Sequence, residues 1–334
     1  MSAPTEPAFA APPPPPAPHV EPKAPRPTYL WPFAIGSFVI GLAILVGTIA
    51  GLIPRGWATA VSFCFLGILL FGLSFIRLPS VPPKEEPLSL LQKVTGIFFE
   101  PSRVFRNLRE HPRWIGAFLI IAVLSAAYSF AFIQRITPER IADHSKQQME
   151  AFGNLVPPEA REAQAAEQLD AMKNPVRRAA SILNVFTVLF VLLTIVAVLS
   201  LLGVLVFGGR INFWQSLAVT FYVALPVTII TKVLGLIILY LKEPEDLHPV
   251  LNRDTTLQDN LSILFSAADH PVLFVMASFI GLTSFYGLWL RAKGLHLGAT
   301  KASSGAGWGV SIGLWLLGFF LLSMVAFLAP SFFS

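Results

Sequence analysis

The chain alternates long apolar runs with short polar or proline- and glycine-bearing breaks, and about seven of the runs approach the roughly 20 residues that cross a bilayer. They cover about Leu30 to Ile53, Trp57 to Ile76, Trp114 to Ile133, Ile182 to Phe207, Phe213 to Leu241, Val272 to Leu290 and Trp308 to Ala329. The pattern predicts an all-α polytopic membrane protein, a helical bundle of about seven transmembrane helices. Pro54, Arg55 and Gly56 leave room only for a tight turn between the first two runs, which therefore form an antiparallel hairpin. Gly36, Gly41, Gly47 and Gly51 would let its backbones approach closely.

The polar stretches carry their own periodicity. Residues 77–113 hold Arg77, Lys84, Lys93, Arg103, Arg106, Arg109 and Arg113. Pro101 suits a first helical position, and from there Val104, Phe105 and Leu108 fall on one face while Arg103, Arg106, Arg109 and Arg113 gather on another. This basic amphipathic segment is expected to lie in the membrane surface. Between Gln134 and Ala179, Thr137-Pro138-Glu139 reads as a helix start, Gly153 as a stop, Pro157-Pro158 as a second start and Asn174-Pro175 as a second stop. Two short helices outside the bilayer are predicted, with acidic and basic residues in balance.

Composition agrees with the solvent that the pattern implies. Mean hydropathy is +0.66, and charged residues make up 13%, against about a quarter in a typical soluble domain. At 334 residues the chain could hold two soluble domains, but one bundle with attachments is the simpler arrangement. The single cysteine, Cys64, lies inside an apolar run and serves there as a small apolar residue.

Residues 1–29 carry eleven prolines, among them Pro12 to Pro16, and can build neither a core nor a helix. A disordered tail of polyproline II character is predicted, able to dock into an aromatic groove on a protein partner. It lacks the basic start, apolar core and small-residue cleavage site of a secretory signal. The net charge of +5 comes from lysines and arginines that flank the spans, which is an orientation signal, so nucleic acid is not an expected partner.

Alternating the runs puts thirteen lysines and arginines on the side of the tail against ten on the other, seven of those ten in the long balanced excursion, which bears less on orientation. The tail and residues 77–113 are therefore expected in the cytoplasm, and Ser331 to Ser334 outside.

Catalysis needs groups placed for proton transfer, nucleophilic attack or metal binding, and no such spacing is found. The six histidines are scattered among loops, no glycine-rich phosphate loop or Gly-x-Ser-x-Gly elbow is present, and no aspartate or glutamate falls inside a span. Asp269-His270-Pro271 reads as a helix start. No enzyme, cofactor or metal is expected. Lys232 is the one basic residue inside a run, where an insertion cost of roughly 2.5 to 3.5 kcal/mol makes it a functional candidate. Pro226 lies one and a half turns before it, and the pair has two readings: a local structural role for the lysine, or a polar path through a transporter or channel subunit.

Gly96-Ile97-Phe98-Phe99-Glu100-Pro101, then Phe105, Leu108 and His111-Pro112-Arg113-Trp114 leading into a span, resemble the entry to a bacterial Yip-type (Ypt/Rab-interacting protein) membrane domain. The likeness continues through Phe213-Trp214-Gln215-Ser216-Leu217-Ala218, Tyr222, Ala224 and Pro226 to Gly287, Leu288, Gly294 and Leu295. It covers about residues 90 to 330, so that the last five spans (114–330) form the Yip-type domain, preceded by a hairpin (30–76) and the tail. The resemblance implies a multi-pass protein of the bacterial cytoplasmic membrane. Eukaryotic relatives engage Rab-type GTPases in vesicle traffic; here a proline tail and two extra spans precede the domain, and GTPase binding is not carried over. The resulting expectation is a non-enzymatic protein that organises the membrane or scaffolds partners, and Arg103, Arg106, Arg109 and Arg113 have two readings: a hold on membrane lipids with anionic headgroups, or only the orientation of the third span.

Overall fold

A stretch crossing hydrocarbon must satisfy its backbone polar groups internally, and the apolar runs do so as α-helices. The computed structural model describes residues 30–51, 56–76, 86–151, 158–249, 251, 255–328 and 330. The proline tail, Pro54 and Arg55, Arg77 and Lys84, Gly153 and Pro157, and Ser331 to Ser334 lie outside the described residues. In chain order the helices are α1 (Trp31–Ile49), α2 (Trp57–Ser74), α3 (Leu90–Phe99), α4 (Pro101–Glu110), α5 (Ile115–Ile136) and α6 (Pro138–Ala151). Then follow α7 (Pro158–Lys173), α8 (Pro175–Val206), α9 (Phe213–Leu241), α10 (Pro271–Ser278), α11 (Leu282–Gly298) and α12 (Ser304–Leu328).

Helix starts follow local chemistry. Pro101, Pro138, Pro158, Pro175 and Pro271 each open a helix, where a missing N–H costs nothing. Asn174-Pro175 thus ends α7 and also opens α8, which gains a turn and more over the expected run and reaches 32 residues. Reciprocal side-chain to backbone bonds cap α3 through Ser89 and Gln92, and α9 through Asn212 and Gln215.

Among the described residues, five helices are long and apolar enough to cross a membrane: α1, α5, α8 from Asn184 onward, α9 and α12. The expected second span is α2, an 18-residue apolar helix paired with α1. Close approach in this hairpin comes from Gly41, where a Cβ would lie 2.7 Å from the Cys64 N, and from Gly67, where one would lie 2.8 Å from the Phe38 Cβ. Gly36, expected at the contact, faces open space, and Gly51 sits in the following turn at φ +72°.

The expected sixth span, 272–290, is not one helix. It breaks at residues 279–281 into α10 and α11, because the chain before α10 threads against the break. Leu261 N–H donates to Ile280 O at 3.0 Å, Leu282 N–H to Asp259 O at 3.2 Å, and Thr283 N–H to the Asp259 carboxylate at 2.6 Å. Asp259 therefore satisfies an orphan amide at the positive end of α11. A side chain at Gly281 would place its Cβ 2.7 Å from that of Asn260, so only glycine allows the crossing.

The core runs between α4, α5, α8, α9 and α11. Trp114 stacks on Phe221 with centroids 5.3 Å apart and leans on Phe190 at 5.4 Å, and Phe118 packs edge-on against both phenylalanines. Around this centre the outer faces are apolar and bare: Leu192, Ile195 and Leu202 on α8, and Phe320, Leu321 and Phe327 on α12, are all exposed. Such continuous apolar surface suits contact with acyl chains, not water.

Candidate functional site

The four arginines singled out from the sequence lie along one edge of α4 and just beyond it. Proline at the first position and a period of 3.6 set the geometry: Val104, Phe105 and Leu108 are buried, while Arg103, Arg106, Arg109 and Arg113 are exposed. The apolar face expected against lipid is covered by protein instead, since α4 docks onto α9 and α11. Gly294 makes the docking possible, because a Cβ there would lie 2.9 Å from Phe105 Cε1. The helix is thus a rigid rail that presents cations on the surface of the bundle.

The rail is fixed through its C-terminal half. Asn107 is buried; its amide donates to Glu86 O at 2.9 Å, and its oxygen accepts from Leu88 N–H at 3.3 Å. Gln215 at the start of α9 donates to Arg109 O at 2.8 Å and accepts from Thr300 Oγ at 3.3 Å. Its neighbours hold other elements: Trp214 Nε1 donates to Ile76 O at 2.8 Å, and Ser216 Oγ to Ala197 O at 2.6 Å. Two of the arginines have an acidic neighbour, Arg103 with Glu100 at 3.4 Å and Arg109 with Glu110 at 3.9 Å. Arg103 and Arg106 line an open, largely polar cavity of about 450 Å³ together with Glu86, Gln92 and Asn107.

Sequence reasoning passed over α3, although Ser89-x-x-Gln92 is a legible capping signal. This helix, which packs on α4, carries Leu91 and Phe99 bare, at 73% and 85% exposure. It also carries Lys93, whose side chain is buried; burial first, and the nearby Arg113 charge second, push it down to about 8 from its ordinary 10.5.

Pro226 and Lys232 are brought into a single unbroken helix, for α9 continues through the proline from Phe213 to Leu241. At about 1.5 Å per residue Lys232 stands about 27 Å along α9 from Trp214, close to one full hydrocarbon thickness. Its ammonium lies 4.7 Å from the Tyr128 ring centroid. Thr255 and Thr256 hydroxyls donate to Thr231 O and Gly235 O at 3.2 and 2.5 Å, which lays the loop after α9 beside it. Lys232 and the arginines therefore belong to opposite ends of the bundle.

The fold also joins two histidines that lie far apart in the sequence. His144 of α6 and His248 after α9 meet edge to face at 4.8 Å, with Arg140 close enough to act on both charges. Their meeting depends on tertiary docking, so no local spacing could have announced it. Among the described residues, no group of three or more histidine, cysteine or acidic side chains is placed to hold a metal ion.

Neither the curated proteins nor the solved structures yield a match. The Yip1 domain, by contrast, matches residues 95–325, a stretch that begins in α3, takes in the arginine rail and its Gln215 clamp, and ends in α12. With more than half of its length covered, the chain is an all-α, multi-pass membrane protein that belongs to the Yip1 domain family.

Proposed function

We propose that this protein is non-enzymatic and organises the bilayer or scaffolds partners at the cytoplasmic face of a bacterial inner membrane. In this reading the proline-rich tail and α4 are cytoplasmic, the α6–α7 excursion and the C-terminus are outside, and the tail offers a polyproline strip to a protein partner. Arg103, Arg106, Arg109 and Arg113 hold anionic headgroups. One observation carries the reading: two adjoining helices bear exposed apolar side chains, Leu91 and Phe99 on α3, and exposed guanidinium groups on α4, which the core holds in place. Apolar anchors and cations in one layer are what an interfacial segment requires, and each basic residue near an anionic surface contributes about 1 kcal/mol.

The test replaces all four arginines by glutamine in the full chain and measures the anionic phospholipid that remains with the detergent-purified protein. Retention should fall severalfold while neutral lipid is unchanged. Equal retention of anionic lipid by the variant and the parent would overturn the headgroup role.

A further inference from the structure

A second cavity, of about 360 Å³, lies on the other flank of α4, where that helix meets the end of α11 and the beginning of α12. Its chemistry differs from that of the arginine edge. Two indoles, Trp289 and Trp308, form walls that are each more than a third exposed, and the Lys293 ammonium sits 4.7 Å above the Trp289 ring centroid. Ser102 and Ser304 contribute hydroxyls. His296 Nδ1 lies 2.8 Å from Ala302 O, and since a carbonyl can only accept, that nitrogen donates and the imidazole is fixed at the cavity edge. Among the described residues, no carboxylate lines the space.

We propose that this cavity binds a phosphate-bearing anion, with Lys293 supplying the charge and Ser102 and Ser304 the hydrogen bonds. The lining offers one cation and several neutral donors without a competing acid, the set that suits phosphoryl oxygens. Ser303 caps α12 by accepting from Ala306 N–H at 3.0 Å, so the amides ahead of Ala306 lie at the positive end of a 25-residue helix with no partner inside it. A lipid fits the rest of the surroundings. Trp308, Ile312 and Leu316 stand on successive turns of α12, all exposed, and continue the cavity into an apolar track where an acyl chain can lie. The site is independent of the four arginines, because none of them lines it.

The experiment titrates short-chain phosphatidic acid, short-chain phosphatidylcholine and inorganic phosphate, separately, into the full chain in neutral detergent, using calorimetry. Phosphatidic acid should bind saturably, Lys293→Gln should weaken it about tenfold, and Lys293→Arg should bind within about twofold of the parent. The variant with all four α4 arginines changed to glutamine should keep the Lys293-dependent binding, so failure of one site is distinguishable from failure of the other. Inorganic phosphate binding that shows the same Lys293 dependence supports the site and assigns it to a free ion instead of a headgroup. Unchanged affinity in Lys293→Gln, equal binding of phosphatidylcholine, or no binding of any probe by the parent overturns the proposal.

Discussion

The two ends of the bundle are fastened by the same forces in different proportion. At the α4 end, aromatic and aliphatic side chains are sealed between helices: Phe105 and Leu108 have no exposed surface, Val104 almost none, and Trp114 stacks into the Phe190 and Phe221 cluster. At the α6 end a smaller apolar cluster, with Ile141 of α6 packed among Ile136, Leu239 and Leu247, is supplemented by polar clamps on two charged helices. The Arg135 guanidinium donates to Lys242 O at 3.0 Å, Arg140 donates to Pro244 O and to Glu245 O, and Lys173 meets Glu139 at 2.7 Å. Burial of apolar surface is insensitive to salt and pH, whereas exposed charge pairs and arginine-to-carbonyl bonds are open to competition from water and ions. The first end is built to hold a surface still. The second is built to be released first.

The largest expected effect follows from removing the peg of the sealed end. Phe105→Ala should cost about 3 to 5 kcal/mol, since a fully buried ring leaves a cavity against the space above Gly294 that neighbouring backbone cannot close. Thermal unfolding of the detergent-solubilised chain should show a clear drop, together with loss of anionic lipid retention as α4 detaches. A melting point equal to that of the parent would mean that α4 is not fixed by its apolar face.

That face was legible in the sequence, and its partner was not. The 3.6 period separates Val104, Phe105 and Leu108 from the arginines, but a period says which side is apolar without saying whether lipid or protein will cover it. The glycines that admit Phe105 lie far along the chain in α11. A similar limit governs the broken sixth run: Gly281 is one of two glycines in an apolar stretch, and what forces the break there is a bridge to Asn260, a non-local contact with no period of its own. Proline signals are local, and Pro101, Pro138 and Pro158 do open α4, α6 and α7, while Asn174-Pro175 opens a helix as well as ending one. Trp214, Gln215 and Ser216, consecutive at the start of α9, make three separate fastenings to Ile76, Arg109 and Ala197.

A smaller effect is expected at the polar end. Arg140→Gln removes charge-assisted bonds to two carbonyls just past the end of α9 and should cost about 1 to 2 kcal/mol, confined to this end. Hydrogen exchange would show it as faster uptake in α6 and residues 242–248 with α4 and α9 unchanged. Slower or equal exchange in α6 would show that the hairpin is held by something other than the arginine clamps, and uniform acceleration through the bundle would erase the distinction between the two ends.

The smallest effect is the most specific to this comparison, because it works through the histidine pair alone. Burial chiefly, and Arg140 with it, holds His144 below the ordinary 6.5; His248 is lowered by burial first, then by His144 and Arg140. The docked state therefore favours neutral rings, and an undocked α6 takes up protons at a higher pH than the docked one. By linkage, the stabilisation from the pair is whole above about 6.5 and declines as pH falls through that value toward the lowered ones. Exchange in α6, corrected for its intrinsic pH dependence, should rise between pH 7.5 and 5.5 by less than Arg140→Gln produces, while α4 stays flat. Replacing both histidines by phenylalanine keeps a ring contact without a proton site, and should remove the slope while leaving α6 docked. A slope between pH 7.5 and 5.5 that survives in that variant would overturn the assignment to the histidine pair, whereas a slope that appears only below about 4.5 belongs to the Lys173 and Glu139 pair. Glu139 is itself held below its ordinary value by its bond to Lys173, and its contribution is lost only as pH falls below the ordinary 4.5, so the two sources separate along the pH axis.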